Sequence, residues 1–214
     1  MPEENTIDNL PTTLEAFIQA LTDLQKKLPS VIVLIGESAS GKSSVEKELV
    51  NMGFNHVVSY TTRPPRKDEV DGVDYHFISE EQFNSMMHNN EFCENSTYRG
   101  WYYGSAKADY KDKTVIVANP HGLRQIKKQS NLDVYSVYIN IPRDERLIKL
   151  LERGDNVDEA CRRSLSDEGQ FTGIKDEANS ILDNQGYKLT PRDLALKIIG
   201  GYNDRDKYGR SNIL

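Results

Sequence analysis

The stretch VIVLIGESASGKS, residues 31–43, decides the fold prediction, because five apolar residues lead into the spacing G-x-x-x-x-G-K-S. This spacing is typical of a loop between a strand and a helix whose backbone N–H groups surround nucleotide phosphates. In such a loop Lys42 neutralises phosphate charge and the Ser43 hydroxyl contacts Mg²⁺. The alternative is a surface turn rich in Gly and Ser. The apolar segment before the loop and the helix-compatible residues 44–50 after it disfavour that alternative.

A second anion-binding site is predicted downstream, where Arg63 and Arg66 stand three residues apart around two prolines. Two planar guanidinium groups held by a stiff backbone are suited to two edges of one phosphate. The hydroxyls of Ser59 and Tyr75 add further donors in the same stretch. A solvated basic turn is the alternative interpretation of the two arginines.

Both motifs, with the residues that follow them, resemble the guanylate kinase family. The family pattern S-x-T-T-R-x-x-R is met by residues 59–66, E-V-D-G-x-D-Y-x-F by residues 69–77, a later acid by Glu94, and Y-Y-G-[ST] by residues 102–105. The resemblance spans residues 31–200 and is strongest over 36–105. It implies an α/β fold with a P-loop parallel sheet and covering helices, a small mixed α+β subdomain for a nucleoside monophosphate, and a helical lid.

The resemblance also implies an activity, ATP-dependent phosphorylation of GMP or dGMP, with Mg²⁺ as cofactor and Ser43 as its ligand. The implied catalytic residues are Lys42, Arg153 and Arg163. The implied ATP-binding residues are Gly36, Glu37, Ser38, Ala39, Ser40, Gly41, Lys42, Ser43 and Ser44. The implied GMP-binding residues are Ser59, Arg63, Arg66, Tyr75, Glu94, Tyr103, Ser105 and Asn119. In this set Glu94 accepts hydrogen bonds from guanine N1 and N2, and Ser105 contacts O6.

One departure from the family bears on specificity. After the predicted strand 114–118 the usual D-x-D pair is replaced by Ala118-Asn119-Pro120. Asn119 can accept a hydrogen bond but carries no charge, so guanine discrimination should depend more heavily on Glu94. A relaxed preference for another purine or a deoxynucleotide is therefore left open.

Two alternative functions are also left open, a kinase of another nucleoside monophosphate and a non-catalytic phosphopeptide-binding module. The intact loop with Lys42 and Ser43 counts against the module, because pure binding needs no triphosphate site. Arg153 and Arg163 also have an alternative to a catalytic role. They can be surface arginines that form ion pairs with Glu152, Asp158 or Glu159 along a helix.

Composition narrows the class of protein. The 214 residues carry a net charge of -6, which argues against a general nucleic-acid surface. Cys93 and Cys161 are too few for a disulfide framework and predict reduced thiols. No apolar stretch approaches the roughly 20 residues that cross a bilayer, and the acidic start lacks a signal-peptide pattern. We therefore expect a cytoplasmic protein, monomeric or homodimeric, whose partners are nucleotides, with neither nucleic acid nor membrane.

The predicted organisation has three parts. Residues 1–30 form a helical extension whose apolar stripe packs on the core or on a partner, residues 31–200 form the main domain, and residues 201–214 form a tail. Within the main domain, residues 57–105 form the acceptor-binding subdomain and 150–172 the lid. Strands are predicted at 31–35, 73–77, 91–98, 101–103, 114–118 and 134–140, and helices at 42–51, 80–89, 121–129, 143–152 and 191–199.

Overall fold

The structure is a computed structural model that describes residues 30–66, 69–98 and 100–208. The predicted N-terminal helix, within residues 1–29, lies outside the described residues. Within these ranges the chain forms nine strands and seven α-helices. The strands are β1 (Ser30–Ile35), β2 (Asn55–His56), β3 (Tyr60–Thr61), β4 (His76–Phe77), β5 (Phe92–Tyr98), β6 (Trp101–Ala106), β7 (Thr114–Val117), β8 (Asp133–Asn140) and β9 (Ser180–Asp183). The helices are α1 (Lys42–Asn51), α2 (Glu80–His88), α3 (Pro120–Lys127), α4 (Arg143–Glu152), α5 (Val157–Gln170), α6 (Ile174–Glu177) and α7 (Pro191–Tyr208).

A parallel sheet with strand order β2-β7-β1-β8-β9 forms the centre of the fold. All six residues of β1 are buried, as expected for a central strand covered on both faces. Ile32 and Leu34 pack with α1 and α7 on one face, while Val31 and Val33 pack with α3 on the other. The carboxyl end of β1 leads directly into the phosphate loop, residues 36–43, which therefore lies at the carboxyl-terminal end of the parallel strands.

A second, mixed sheet with order β4-β3-β6-β5 lies within residues 60–106. Strands β3 and β4 are parallel, whereas β6 pairs antiparallel with both β3 and β5. Helix α2 begins with a capping box between Ser79 and Gln82, which satisfies two backbone donors at its first turn. Its buried Phe83 stacks on Phe92 and Tyr102, with ring centroids 4.4 and 5.4 Å away. The predicted small mixed subdomain is thus present, and the predicted α/β fold class is confirmed.

Some predicted boundaries were wrong. The strand predicted over 73–77 is confined to β4, because residues 70–74 form a turn in which the Val70 N–H donates to Asp74. The C-terminal helix was expected to end at residue 199 but runs to Tyr208. Tyr202 keeps that region buried against Tyr135, and a Cβ at Gly201 would lie 2.6 Å from the Tyr135 hydroxyl oxygen. Gly201 therefore permits close packing against Tyr135, and the two glycines do not end the helix.

Among the described helices, none combines the length and apolar character that crossing a membrane requires.

Candidate functional site

The phosphate loop depends on glycine at its first position. Gly36 has φ of 151°, and a Cβ there would lie 2.6 Å from Ser40 Oγ and 2.7 Å from the Ile139 carbonyl oxygen. Gly41 has φ of 91° and immediately precedes α1, so a residue with a side chain would be strained there. The two glycines let the loop curl tightly around the start of a helix, where backbone N–H groups favour anions.

Lys42 is the cation of this loop. Its ammonium donates to the Glu37 carbonyl oxygen at 2.8 Å and to Ser40 Oγ at 3.3 Å. Burial lowers the pKa of Lys42 from 10.5 to about 8, against the opposing attraction of Asp167 and Glu37. The ammonium is therefore held with incomplete compensation of its charge, an environment that favours an incoming anion.

Two cavities meet at Lys42. The first, called here the arginine cavity, has a volume of about 540 Å³ and lies between the phosphate loop, the mixed sheet and α5. The second, called here the loop cavity, has a volume of about 780 Å³ and lies between residues 39–45, the end of α4 and residues 184–194. Lys42 lines both, so groups bound in the two cavities would approach each other at its ammonium.

The arginine cavity collects most of the residues predicted to bind the acceptor. They are Ser59, Arg63, Arg66, Tyr75, Glu94, Tyr103 and Asn119. The loop cavity is lined by Ala39, Ser40, Gly41, Lys42, Ser43 and Ser44 from the predicted ATP-binding set, while Gly36 and Ser38 line the arginine cavity. Glu37 and Ser105 line neither cavity.

Arg63 forms the cationic end of the arginine cavity. Its Nη2 lies 2.8 Å from Glu69 Oε1, and its guanidinium carbon lies 5.5 Å from the centre of the Tyr75 ring. The Tyr103 ring packs edge-on to Tyr75 at 6.0 Å. Arg66 is more exposed than Arg63, at 73% of its side chain against 12%, and its Nη1 is 4.0 Å from the same glutamate. The arrangement presents one largely buried and one exposed guanidinium to an anion.

Glu94 forms the other end of the cavity. Its Oε1 accepts a hydrogen bond of 2.9 Å from Ser105 Oγ. Burial raises the pKa of Glu94 above its ordinary value, while hydrogen bonds from the Ser105 side chain and backbone oppose that rise. A Cβ at Gly122 would lie 3.1 Å from Oε2, so glycine at this position leaves room for the carboxylate. Such a carboxylate can accept two parallel N–H donors.

Asn119 and Ser105 have partners that the sequence did not predict. The Asn119 side-chain oxygen accepts the Gly122 N–H at 2.8 Å and caps α3. A base donor would therefore have to use the second lone pair of that oxygen. Ser105 is fully buried between Glu94 and Tyr110, so its contact with a base stays a prediction.

The two arginines of the predicted lid line different cavities. Arg163 lines the arginine cavity and Arg153 lines the loop cavity. Both face Asp155, at 3.8 Å from Arg163 Nη1 and 2.6 Å from Arg153 Nη2, and Arg163 Nε also lies 2.9 Å from Glu159. The helical ion pair with Glu159 is thus present, and the same arginine still reaches a cavity.

A polar network that the sequence did not predict connects α5 with the phosphate loop. Asp167 Oδ2 accepts the Ser38 N–H at 2.7 Å and lies 3.6 Å from Arg146 Nη1. Arg146 Nη2 lies 3.8 Å from Glu37 Oε1, whose other oxygen accepts the Tyr138 hydroxyl at 2.6 Å. A carboxylate from α5 therefore accepts a hydrogen bond from a backbone N–H of the phosphate loop. No local sequence pattern signals this contact.

The far wall of the loop cavity is partly apolar. It includes Tyr187, Leu189, Pro191 and Leu194. The Tyr187 hydroxyl donates to the Ala39 carbonyl oxygen at 2.9 Å, which ties this wall to the phosphate loop. The cavity thus combines a polar end at the loop with a surface on which a planar base could lie.

The described part of the chain offers few side-chain ligands for a magnesium ion. Within the described ranges, no cluster of three or more His, Cys, Asp or Glu side chains could hold a metal ion. Mg²⁺ commonly takes one or two protein ligands and completes its shell with water and substrate phosphates. The Ser43 hydroxyl in the loop cavity fits that mode of binding.

Comparisons with known proteins agree with the resemblance. Residues 29–194 match the family profile described as guanylate kinase. The chain is 32% identical over 183 residues to the guanylate kinase of Prochlorococcus marinus subsp. pastoris, covering 81% of this chain and 98% of that protein. It is 35% identical over 169 residues to the guanylate kinase of Mycoplasma mobile, covering 72% of this chain and 84% of that protein.

A solved structure shares the fold. The guanylate kinase from Anaplasma phagocytophilum matches with a TM-score of 0.63 at 22% identity, covering 83% of this chain and 86% of that chain.

Proposed function

The chain belongs to the guanylate kinase family and is a nucleoside monophosphate kinase, and from this premise we propose that it transfers the γ-phosphoryl group of ATP directly to GMP or dGMP. The observation that carries the proposal is the position of Lys42, which lines both the loop cavity and the arginine cavity. A donor phosphate in one and an acceptor phosphate in the other would share this cation.

In this proposal ATP occupies the loop cavity. The backbone N–H groups of the phosphate loop and the Lys42 ammonium bind the β- and γ-phosphates, and the base lies near Tyr187. Mg²⁺, held by the Ser43 hydroxyl and phosphate oxygens, supplies further charge neutralisation when bound. Asp167 must release the Ser38 N–H if the γ-phosphate is to use it.

The acceptor phosphate binds at the cationic end of the arginine cavity. Arg63, Arg66 and the hydroxyls of Ser59, Tyr75 and Tyr103 provide donors for its oxygens. The charge-assisted bonds lower the repulsion between two anionic nucleotides. Because the acceptor phosphate has a second pKa near 6, it is mostly dianionic at pH 7. Its oxygen can then attack phosphorus without a general base.

Glu94 selects the base. A carboxylate that faces guanine accepts the N1–H and the 2-amino group, whereas adenine has no N1 proton to donate. Leaving a buried carboxylate without these donors costs on the order of 1–3 kcal/mol. The partial burial of Glu94 and its support by Ser105 fit this role.

Arg163 and Arg153 complete the charge stabilisation in the proposed mechanism. Positioned cations stabilise the charge spread over the equatorial oxygens of the transferring group. We propose that residues 57–105 act as the acceptor-binding arm and residues 150–172 as the lid that brings these arginines to the transferring phosphoryl group.

A coupled assay of ADP release tests the function. The wild-type chain would be given Mg²⁺ and ATP with GMP, dGMP, AMP, dUMP or dTMP in turn. We expect GMP and dGMP to give the highest kcat/KM values. A higher value with AMP or a pyrimidine nucleotide would overturn guanine recognition, and no ADP release with any acceptor would overturn the kinase assignment.

A further inference from the structure

A buried row of polar side chains lies behind Glu94. Ser105 Oγ is 2.9 Å from Glu94 Oε1 and 2.7 Å from the Tyr110 hydroxyl. Ser105 is fully buried, and Tyr110 and Cys93 are 6% and 2% exposed. Cys93 and Tyr110 belong to the same core cluster. The row of hydrogen bonds therefore runs from Tyr110 through Ser105 to the carboxylate at the cavity.

The direction of each hydrogen bond in this row follows from counting protons. An ionised carboxylate only accepts, so Ser105 must donate its single hydroxyl proton to Glu94. The Ser105 oxygen must then accept from the other side, so the Tyr110 hydroxyl donates to Ser105.

Tyr110 keeps its proton at neutral pH, because burial raises the pKa of its hydroxyl. Tyr110 can therefore donate to Ser105 while Glu94 is charged.

On this geometry we propose that Tyr110 is a positioning residue for base selection: its hydroxyl directs the Ser105 proton onto Glu94 and so holds that carboxylate in place for the guanine N–H groups. The inference rests on the proposed function, because it assigns a base to Glu94. It also revises the expected role of Ser105. The only hydroxyl proton of Ser105 is committed to Glu94, so none is left for the O6 atom of guanine.

Removing the Tyr110 hydroxyl should weaken this support without touching the substrate. In Tyr110→Phe the ring still fills its buried site, but the Ser105 oxygen loses its donor. A net hydrogen bond corresponds to a change of about 3- to 10-fold in an equilibrium. We expect KM and Kd for GMP to rise by about that factor, while kcat at saturating GMP and KM for ATP stay within about 2-fold.

The pH profile should change in a defined direction. Weaker support raises the pKa of Glu94, so the acidic limb of kcat/KM for GMP should move to higher pH by about 0.5. Other ionisable groups lie near Glu94. Behind it are Cys93 and Tyr110, and α3, which packs on β5, carries His121, Arg124 and Lys127. The cavity is also lined by Lys42, Arg63, Arg66, Glu69, Tyr75, Tyr98, Tyr103, Arg163 and Asp167. Arg124 and Lys127 both bind Glu177. Tyr110→Phe leaves all of these except Tyr110 itself in place.

The experiment measures GMP binding by calorimetry and turnover by ADP release in the full chain, for Tyr110→Phe, Ser105→Ala and the double variant. Because Tyr110 acts through Ser105, adding Tyr110→Phe to Ser105→Ala should change Kd for GMP by less than about 2-fold. Tyr135→Phe is the matched control. It removes the hydroxyl of another buried tyrosine, packed against Tyr202 in the core cluster formed with α1 and α7, and should leave Kd for GMP unchanged.

Each outcome bears on one of the two claims. A wild-type chain that neither binds nor phosphorylates GMP overturns the proposed function and this inference with it. An active wild type with an unchanged Kd in Tyr110→Phe, or additive losses in the double variant, overturns the role of Tyr110 alone. Equal rises in KM for ATP and GMP would also overturn it, because they indicate general structural damage. If Tyr110→Phe does not fold, Ser105→Ala removes the hydrogen bond to Glu94 directly, and an unchanged acidic limb there counts against the row.

Discussion

Replacing Lys42 by Met should make the protein more stable and nearly inactive. A pKa lowered from 10.5 to about 8 corresponds to about 3 kcal/mol against the charged form in the folded state. Met has a similar length and no charge, so that penalty is removed. The substitution also removes the hydrogen bonds to the Glu37 carbonyl oxygen and Ser40, about 1 kcal/mol each at most. The net gain should be about 1–2 kcal/mol, which raises Tm by about 2–8 °C for a chain of this size.

The sign of the pH dependence follows from the same shift. Below pH 8 Lys42 is charged in both the folded and unfolded states, so wild type bears the whole penalty. As pH rises from about 8 towards 10.5, the folded state releases its proton first and the penalty shrinks. The stability advantage of Lys42→Met should therefore be full at pH 7 and lost near pH 10.5.

Thermal unfolding without nucleotide, together with the ADP-release assay, checks both parts. Lys47→Met is the matched control, since Lys47 is exposed on the same helix, and it should change neither stability nor turnover noticeably. Turnover of Lys42→Met should fall by at least about 10³-fold. A lower Tm than wild type at pH 7 would refute the desolvation argument, and near-normal turnover would refute the role of Lys42 in transfer.

Three further substitutions separate the roles of the site residues. Glu94→Gln should lower kcat/KM for GMP by about 10²-fold or more, because the amide NH₂ opposes the guanine donors; in the ADP-release assay, retained guanine preference would contradict this. Arg63→Met should raise KM for GMP about 10-fold with KM for ATP nearly unchanged, and a rise confined to ATP would reverse the cavity assignment. Asp167→Ala should tighten ATP binding about 3- to 10-fold by calorimetry, because no side-chain oxygen then competes for the Ser38 N–H. Weaker ATP binding in that variant, compared with Glu168→Ala as control, would show that Asp167 assists the donor.

The long regular elements could be predicted because their patterns are local. Strand β1 is buried on both faces and reads as a continuous apolar run, and the helices at 42–51 and 143–152 have the expected bounds. The two-residue strands β2 and β3 are too short to show any periodicity, so the sequence does not signal them. The end of α7 was predicted too early for a different reason. In the sequence, a glycine that permits close packing resembles a glycine that ends a helix.

The candidate site also contains residues that local motifs predict and contacts that only the tertiary fold creates. Residues carried by compact motifs, such as Arg63 and Glu94, lie in one cavity as the spacing and the resemblance implied. The contact of Asp167 with Ser38 joins residues 129 apart in the sequence, and only the packing of α5 brings them together. The row behind Glu94 depends on Tyr110, which reads as an ordinary core position until its hydrogen bond to Ser105 is known.

The stereochemical course of the reaction shows whether one phosphoryl group passes directly between two nucleotides that meet at Lys42. ATP made chiral at its γ-phosphorus would be reacted with GMP, and the configuration of the GDP product would be determined. Direct in-line transfer predicts inversion at phosphorus. Retention, or no transfer of the label to GMP, would contradict the account.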